Sequence, residues 1–531
     1  MKLIILFFLG ALHAQSFSAG LLPEFALGPI QLITFTLAVI LIFYGPKRNY
    51  LKTFAFSLAY FSFGLYWIYN SVHGFGYIYP AVAWAIVILF AAFLSLFPVL
   101  AVFIYRKIGY RNFTGFLAPI IFASSWTVAE LIRGYLLTGF PWLNIAYAHA
   151  QSPIGAWAPI FGSYGMSFIA SLLSAFIAQW VLRKEIKKEV RFAQFGIISI
   201  LLSCIILNTI QWSKPYGNLV SVRLVQSNIV QDIKYNPLNL ETIINHNLEL
   251  AMLPAGSQNQ PPEIVLFSES IIPTAHKNLP PAFWIKLLSI ANQTEAQYIV
   301  GLNYEVDKLN ASPDSAYPFK LHNSLLLVNK NTELLSLYET NNPDNLTRYD
   351  KQHLVPFGEV VPSYVRWFVN MIGLPFIDFS PGSYRQNNFV INGQSIAANI
   401  CYEDIFGHEL LASLFDKNGN PGATILYNAS NLMWFGNSSA LGQHLEMSKV
   451  RARETARPIV RATNTGATAH IDHNGKVLAS LPYETTGVLD VLVQGRTGFT
   501  VYSRIGDWGI FIVVIGLLLL GFFYRKTTKQ V

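Results

Sequence analysis

The stretch Ile396-Ala-Ala-Asn-Ile-Cys-Tyr-Glu403 decides how the second half of this chain is read. A short, nearly continuous run of small and apolar residues ends abruptly in a thiol, a phenol and a carboxyl. Such a run suits a strand buried on both faces, and polar groups gather at strand ends in α/β sheets. Ile264-Val-Leu-Phe-Ser-Glu269 repeats the arrangement with a carboxylate. Lys351 lies in the polar stretch Arg348-Tyr-Asp-Lys-Gln-His-Leu-Val-Pro-Phe-Gly-Glu359. Alone, each has a plain reading: a structural thiol, a solvated strand end and a surface lysine. Together they form a candidate site. Further strands are predicted at 220–226, 298–302, 324–328, 424–428 and 459–462, alternating with helical patterns at 239–253, 282–293, 405–415 and 437–456. That alternation predicts an α/β sandwich, with a hairpin at 467–481 around Asn474-Gly475. No Gly-x-Ser-x-Gly elbow, phosphate loop or zinc-spaced Cys/His set is present, so neither metal nor cofactor is expected. His470 and His473 flank a turn and read as solvent-facing.

Outside that region the chain changes character. Of 531 residues, 52% are hydrophobic and 12% charged, about half the charge of a soluble protein. The length exceeds what one core supports. Residues 1–216 hold 14 Lys and Arg against 4 Asp and Glu, net +10, while the remainder is net −2. The first part reads as apolar runs near the ~20 residues that cross a bilayer, at 3–19, 26–45, 54–72, 77–105, 114–134, 155–182 and 192–211, with a last run at 508–524. Lys47, Arg48 and Lys52 follow the second run, Arg106, Lys107 and Arg111 the fourth, Arg183 to Arg191 the sixth, and Arg525, Lys526 and Lys529 the eighth. Every even-numbered end is thus basic, which places it in the cytoplasm and the 217–500 region outside. The overall charge of +8 therefore reports membrane orientation, and nucleic-acid binding is excluded as its explanation. The first run also fits a cleavable signal, which leaves the orientation unchanged. Glu130 and Arg133 are spaced for an i,i+3 pair or a lipid-phosphate contact. Trp67, Trp142 and Trp508 read as interfacial anchors.

The expectation is a polytopic α-helical membrane bundle of about eight spans joined to an α/β domain. Its parts are a membrane domain at 1–216, an extracytoplasmic domain at 217–500, and a last span with a basic tail at 501–531.

The contexts of Glu269, Lys351 and Cys401 resemble the Glu-Lys-Cys triad of the nitrilase, or carbon–nitrogen hydrolase, superfamily. The whole chain resembles the bacterial apolipoprotein N-acyltransferases, on Leu137-Thr-Gly-Phe-Pro-Trp142, His353 to Glu359, Ile400-Cys-Tyr-Glu403, Trp434-Phe-Gly436, Arg451-Ala-Arg-Glu454 with Arg457-Pro458, and Thr463-Asn-Thr-Gly466. The resemblance implies a nitrilase-like αββα sandwich in the inner membrane's outer face. It implies acyl transfer from a phospholipid to the N-terminal amine of a diacylglyceryl-cysteine apolipoprotein, by a monomer without cofactor. Cys401 would be the nucleophile, Glu269 the base and Lys351 the cation at the oxyanion. Tyr235, Glu359, Tyr402, Glu403 and Trp434 match supporting positions.

Two departures stand out. Lys234-Tyr235 has Tyr where the family usually has Trp, and Ser430-Asn-Leu-Met-Trp-Phe-Gly436 has Leu432 where it usually has Asp. The second marks either an altered substrate preference or a weakened paralogue. Competing readings are a membrane-anchored amidase acting on a small C–N bond and a transporter or receptor with an inactive outer domain.

Overall fold

The computed structural model describes all residues except 18–21, 46, 111–112, 235, 256–259, 309–318, 340–345, 372–377, 416–421 and 529–531. The chain divides into two compact units, Met1–Trp212 with Phe435–Thr455 and Phe499–Val531, and Ser213–Trp434 with Ala456–Gly498.

The first unit opens with seven helices: α1 Lys2–Ala14, α2 Glu24–Phe43, α3 Asn49–Gly64, α4 Pro80–Lys107, α5 Ala118–Tyr135, α6 Ala158–Leu182 and α7 Lys187–Asn208. At 1.5 Å rise per residue, the 13 residues of α1 and 16 of α3 fall short of a ~30 Å hydrocarbon core. The 18 residues of α5 are diluted by Ser, Thr, Glu130 and Arg133. The helices α2, α4 and α7, the run Pro153–Leu182 and the C-terminal Trp508–Thr527 are long and apolar enough to cross a membrane. Among the described residues, five helices therefore meet the length and composition of a span; those two properties do not carry the count to eight. Inside α6, Gly162 takes φ +64°, and a Cβ there would run into the Tyr502 ring, so glycine alone fits this kink.

The second unit contains two sheets. Its strands are β1 Ser213–Gln226, β2 Ile264–Leu266, β3 Ile272–Ala275, β4 Gln297–Asp307, β5 Phe319–Val328, β6 Arg348–Asp350, β7 Phe389–Ile391, β8 Gln394–Ile400, β9 Ile425–Ser430, β10 Ile459–Thr463, β11 Ala469–Ile471, β12 Val477–Ser480 and β13 Gly487–Gly498. The first sheet runs β13-β1-β2-β4-β5-β6, with β3 beside β4, and the second runs β12-β11-β10-β9-β8-β7. The central pairs β1–β2, β2–β4, β8–β9 and β9–β10 are parallel. Helices α8 Leu240–Ala251 and α9 Pro281–Thr294 cover the first sheet, where Ile244, Leu248, Trp284 and Leu287 pack on Val265 and Val300. The Tyr427 hydroxyl of β9 donates to the Phe267 carbonyl, tying the sheets together.

Several expectations change. The longest pairing, β1 with the half-buried β13, is an addition to the expected strands. The pattern at 405–415 breaks into a four-residue helix, Gly407–Leu410, between 3-10 turns. The hairpin forms as β11–β12, but His470 is buried on β11 rather than solvent-facing. The helical pattern at 437–456 becomes α10, Ser439–Thr455, and belongs to the first unit. Its polar groups find partners there: Lys449 pairs with Glu24, Glu454 accepts the Ser163 amide at 2.6 Å, and Arg453 donates to the Gly155 carbonyl at 2.9 Å. Gln443 Oε1 accepts from the Trp67 and Trp142 indoles at 3.1 and 2.7 Å. Those two tryptophans are therefore buried anchors of α10 rather than interfacial residues; Trp508, which opens α11 Trp508–Thr528, is 70% exposed. Arg133 is buried as well, donating to the Phe140 and Trp142 carbonyls at 3.2 and 2.6 Å and to Asn144, with Glu130 at 3.9 Å. It is a structural cation, not a lipid-phosphate ligand.

Candidate functional site

Three strand ends of the second unit supply a carboxylate, an ammonium and a thiol. Glu269 stands three residues past β2, Lys351 directly follows β6, and Cys401 directly follows β8. Both sheets contribute. Cys401 adopts φ 51° and Ser270, after Glu269, φ 44°. A left-handed conformation costs a non-glycine residue about 1 kcal/mol or more, so packing must hold these turns in place. The turn after β8 lifts the thiol out of the strand.

The three side chains meet although 82 and 50 residues separate them along the chain. Lys351 Nζ lies 3.1 Å from Glu269 Oε1, and the Cys401 thiol hydrogen-bonds to Glu269. Lys351 also contacts Glu359 Oε2 at 2.9 Å, and the same Glu359 oxygen accepts the Val355 amide at 2.8 Å. Two carboxylates thus share one ammonium. Asn323 of β5, which sequence reasoning missed, donates to Glu269 Oε1 and Glu359 Oε1, both at 2.8 Å. The second oxygen of Glu269 accepts the main-chain amide of Asn431 at 2.9 Å.

Burial alone would raise the Glu269 carboxyl, but the Lys351 charge and the Asn323 and Asn431 hydrogen bonds outweigh it and hold the group below its ordinary 4.5. Burial would likewise lower Lys351, yet Glu269 and Glu359 push it above its ordinary range. Burial, followed by the Glu269 charge, raises the Cys401 thiol. A raised thiol beside an ionised carboxylate is a nucleophile that needs a base and has one at hand.

The remaining expected residues are placed differently from one another. Glu359 joins the cluster directly. Glu403 lies behind it, accepting the amides of Ile400 and Gln352, each at 2.6 Å, that of His353 at 3.2 Å, and the Tyr349 hydroxyl at 2.9 Å. It ties the Lys351 loop to the Cys401 turn, and burial raises its carboxyl to about 7. Tyr402 packs edge-on against Phe406 and His353, with ring centroids 5.2 and 5.5 Å apart. Trp434 is 37% exposed on the turn Leu432–Phe435, three residues beyond Asn431. Tyr235 lies outside the described residues. Its neighbour Lys234 is buried, with Nζ 3.4 Å from the Glu269 carbonyl. Leu432 is fully buried and takes a packing position. Among the described residues, no group of three His, Cys, Asp or Glu side chains is arranged to hold a metal ion.

The second unit belongs among the carbon–nitrogen hydrolase domains: residues 221–501 match the family described as Carbon-nitrogen hydrolase. Residues 10–176 match the Apolipoprotein N-acyltransferase N-terminal domain. The chain is 40% identical over 525 residues to an apolipoprotein N-acyltransferase of Bordetella bronchiseptica, covering 96% of this chain and 94% of that one. Proteins of the same description from Ralstonia nicotianae and Nitrosomonas europaea are 36% and 35% identical, covering 86% and 98% of this chain and 81% and 96% of theirs. The chain belongs to the apolipoprotein N-acyltransferase family.

Proposed function

We propose that this protein moves a fatty acyl chain from a phospholipid to the N-terminal amine of a diacylglyceryl-cysteine apolipoprotein, through a thioester on Cys401. The observation that carries this reading is the meeting of Glu269, Lys351 and Cys401 in one buried cluster, in a chain whose described residues include five membrane-length apolar helices. Glu269 takes the thiol proton as sulfur attacks the ester carbonyl. Lys351 faces the oxyanion, where one well-placed donor contributes about 3–4 kcal/mol. Collapse expels the lysophospholipid alkoxide, which receives the proton from Glu269. The neutral amine then attacks the thioester carbonyl, Glu269 takes a proton from nitrogen, and sulfur leaves to be reprotonated. Glu359 and Asn323 hold Lys351 and Glu269 in register. Glu403 braces the two loops.

The basic ends support a bundle of about eight crossings in the bacterial cytoplasmic membrane, with the short helices α1, α3 and α5 included and the sheet domain on the periplasmic side as a nitrilase-like αββα sandwich. There it acts as a monomer on substrates whose head groups lie at that surface. The intact cluster and the packed Leu432 support an active enzyme rather than a weakened paralogue.

Incubation with a labelled phospholipid and a diacylglyceryl-cysteine lipopeptide tests the reading. Label on the peptide's α-amine, absent with the N-acetylated peptide and with Cys401→Ala, is the expected result. Hydrolysis of small amides without acylation of the peptide would replace acyl transfer by amidase chemistry.

A further inference from the structure

Lys234 closes a one-turn helix, Gln231–Lys234, and is 2% exposed, which is rare for a lysine without a compensating charge. Its ammonium donates to the main-chain carbonyl of Glu269, the residue whose carboxylate faces the Cys401 thiol. Its charge also acts on the Glu269 carboxylate and on Cys401. The directly bonded cluster contains two carboxylates, Glu269 and Glu359, and one ammonium, Lys351. Removing a proton from Cys401 adds a negative charge to that buried group. Lys351 already lies within salt-bridge distance of both carboxylates, so a second cation has an electrostatic purpose.

We infer that Lys234 is the second cation of the site, a positioning residue that fixes the Glu269 main chain and offsets the negative charge that builds on sulfur and on the acyl oxygen. The inference rests on the acyl-transfer reading for its substrate but on the geometry alone for its action on the thiol. Substrate oxygens are not needed for the effect: any reaction of Cys401 that passes through a thiolate feels it. The charged groups that face Cys401 are Glu269, Lys351 and Glu359, with Arg461 acting from β10 and itself paired to Asp404 at 3.4 Å. Those that face Lys234 are Glu269 and Cys401. Burial lowers the Lys234 ammonium from 10.5 to about 8, so its charge is present at neutral pH and is lost as pH rises through that value. Glu269 and Glu359 hold Lys351 above its ordinary range, so its charge persists where that of Lys234 is lost.

Iodoacetamide alkylation of the full-length protein, read at Cys401 by peptide mass spectrometry across about pH 6 to 10, tests the assignment without any lipid. Denaturant titration of the same samples reports whether the second unit is folded. Lys234→Met is expected to slow Cys401 alkylation about tenfold at neutral pH, with the difference from wild type closing as pH rises through about 8 and with folding unchanged. Lys234→Arg, which keeps the charge, is expected to restore most of the rate. A wild-type rate at neutral pH in Lys234→Met, or a slow Lys234→Arg that remains folded, would overturn the inference. Unfolding of the second unit in Lys234→Met transfers the decision to Lys234→Arg, where charge is retained. If the wild type alkylates as expected yet never accepts an acyl chain from phospholipid, the acyl-transfer reading fails while Lys234 keeps its assigned effect on the thiol.

Discussion

Two of the acid–base pairs that the chain buries, Glu130–Arg133 and Glu269–Lys351, are different objects. Glu130 and Arg133 lie one turn apart on α5, and every contact of Arg133 named above is a satisfied structural one: two carbonyls, the Asn144 side chain and Glu130 at 3.9 Å. Glu269 and Lys351 come from separate strand ends, are 3.1 Å apart, and share their charges with a second carboxylate and a thiol. Burial and opposite charge are common to both. What distinguishes the second is an adjacent group that can form a bond to carbon. A buried ion pair is thus weak grounds for a site, and an ion pair that leaves a nucleophile within reach is strong grounds.

Substitutions in the two regions should therefore separate. Cys401→Ala is expected to abolish acyl transfer, a loss of at least about 10³-fold, with little change in melting temperature, because it removes the bond-forming atom. Glu269→Gln keeps the shape but not the base, and a loss of about 10²–10⁴-fold in the rate of thioester formation is expected. Lys351→Met should lower that rate by about 10²–10³-fold and also destabilise the domain by roughly 3–5 kcal/mol, since two buried carboxylates lose their shared cation. Denaturant titration of the variant measures the second effect.

The first pair should answer in stability alone. Arg133→Met leaves buried carbonyls unpartnered and is expected to cost about 1–3 kcal/mol, with kcat per folded molecule within about twofold of wild type. A large fall in kcat with unchanged stability would erase the distinction between the two regions. The smallest effect is in pH. Because Lys351 and its hydrogen-bonded neighbours hold the Glu269 carboxyl below 4.5, the base stays ionised above that pH and is lost only as pH falls through its depressed value. Stability from the Glu269–Lys351 contact follows the same sign, present above about 4.5 and fading below it. A rate of thioester formation that collapses well above that point would move the controlling proton to another group, Glu403 being the first candidate at about 7.

Much of this was legible in the residues. The basic ends of alternate apolar runs and the polar termini of strands 264–268 and 395–400 marked both the membrane unit and the three clustered side chains. Properties local to a few residues, hydropathy and a polar group at a strand end, carried those readings. Asn323 was invisible for the converse reason. An asparagine within His322-Asn-Ser324 has no pattern of its own, and only the pairing of β5 with β6 brings it beside Lys351. Lys234 and Asn431 were in view within quoted motifs, but their partners are distant in sequence. Helix α10 shows the same limit. Its buried Gln443, Glu446, Lys449, Arg451 and Glu454 read as a polar helix of the outer domain until the partners on α2, α6 and the two tryptophans are known. Trp67 and Trp142 misled for that reason: an indole near a helix end fits a membrane interface until an acceptor such as Gln443 is found for its N–H.

The central claim is that the Glu269–Lys351–Cys401 cluster forms an acyl-enzyme. The most direct measurement is mass spectrometry of the protein after incubation with a single defined phospholipid and no acceptor. The account predicts that the peptide carrying Cys401 gains the mass of one fatty acyl chain, and that neutral hydroxylamine removes it. An unmodified Cys401 peptide in fully folded protein, or an acyl group found elsewhere and resistant to hydroxylamine, would contradict it.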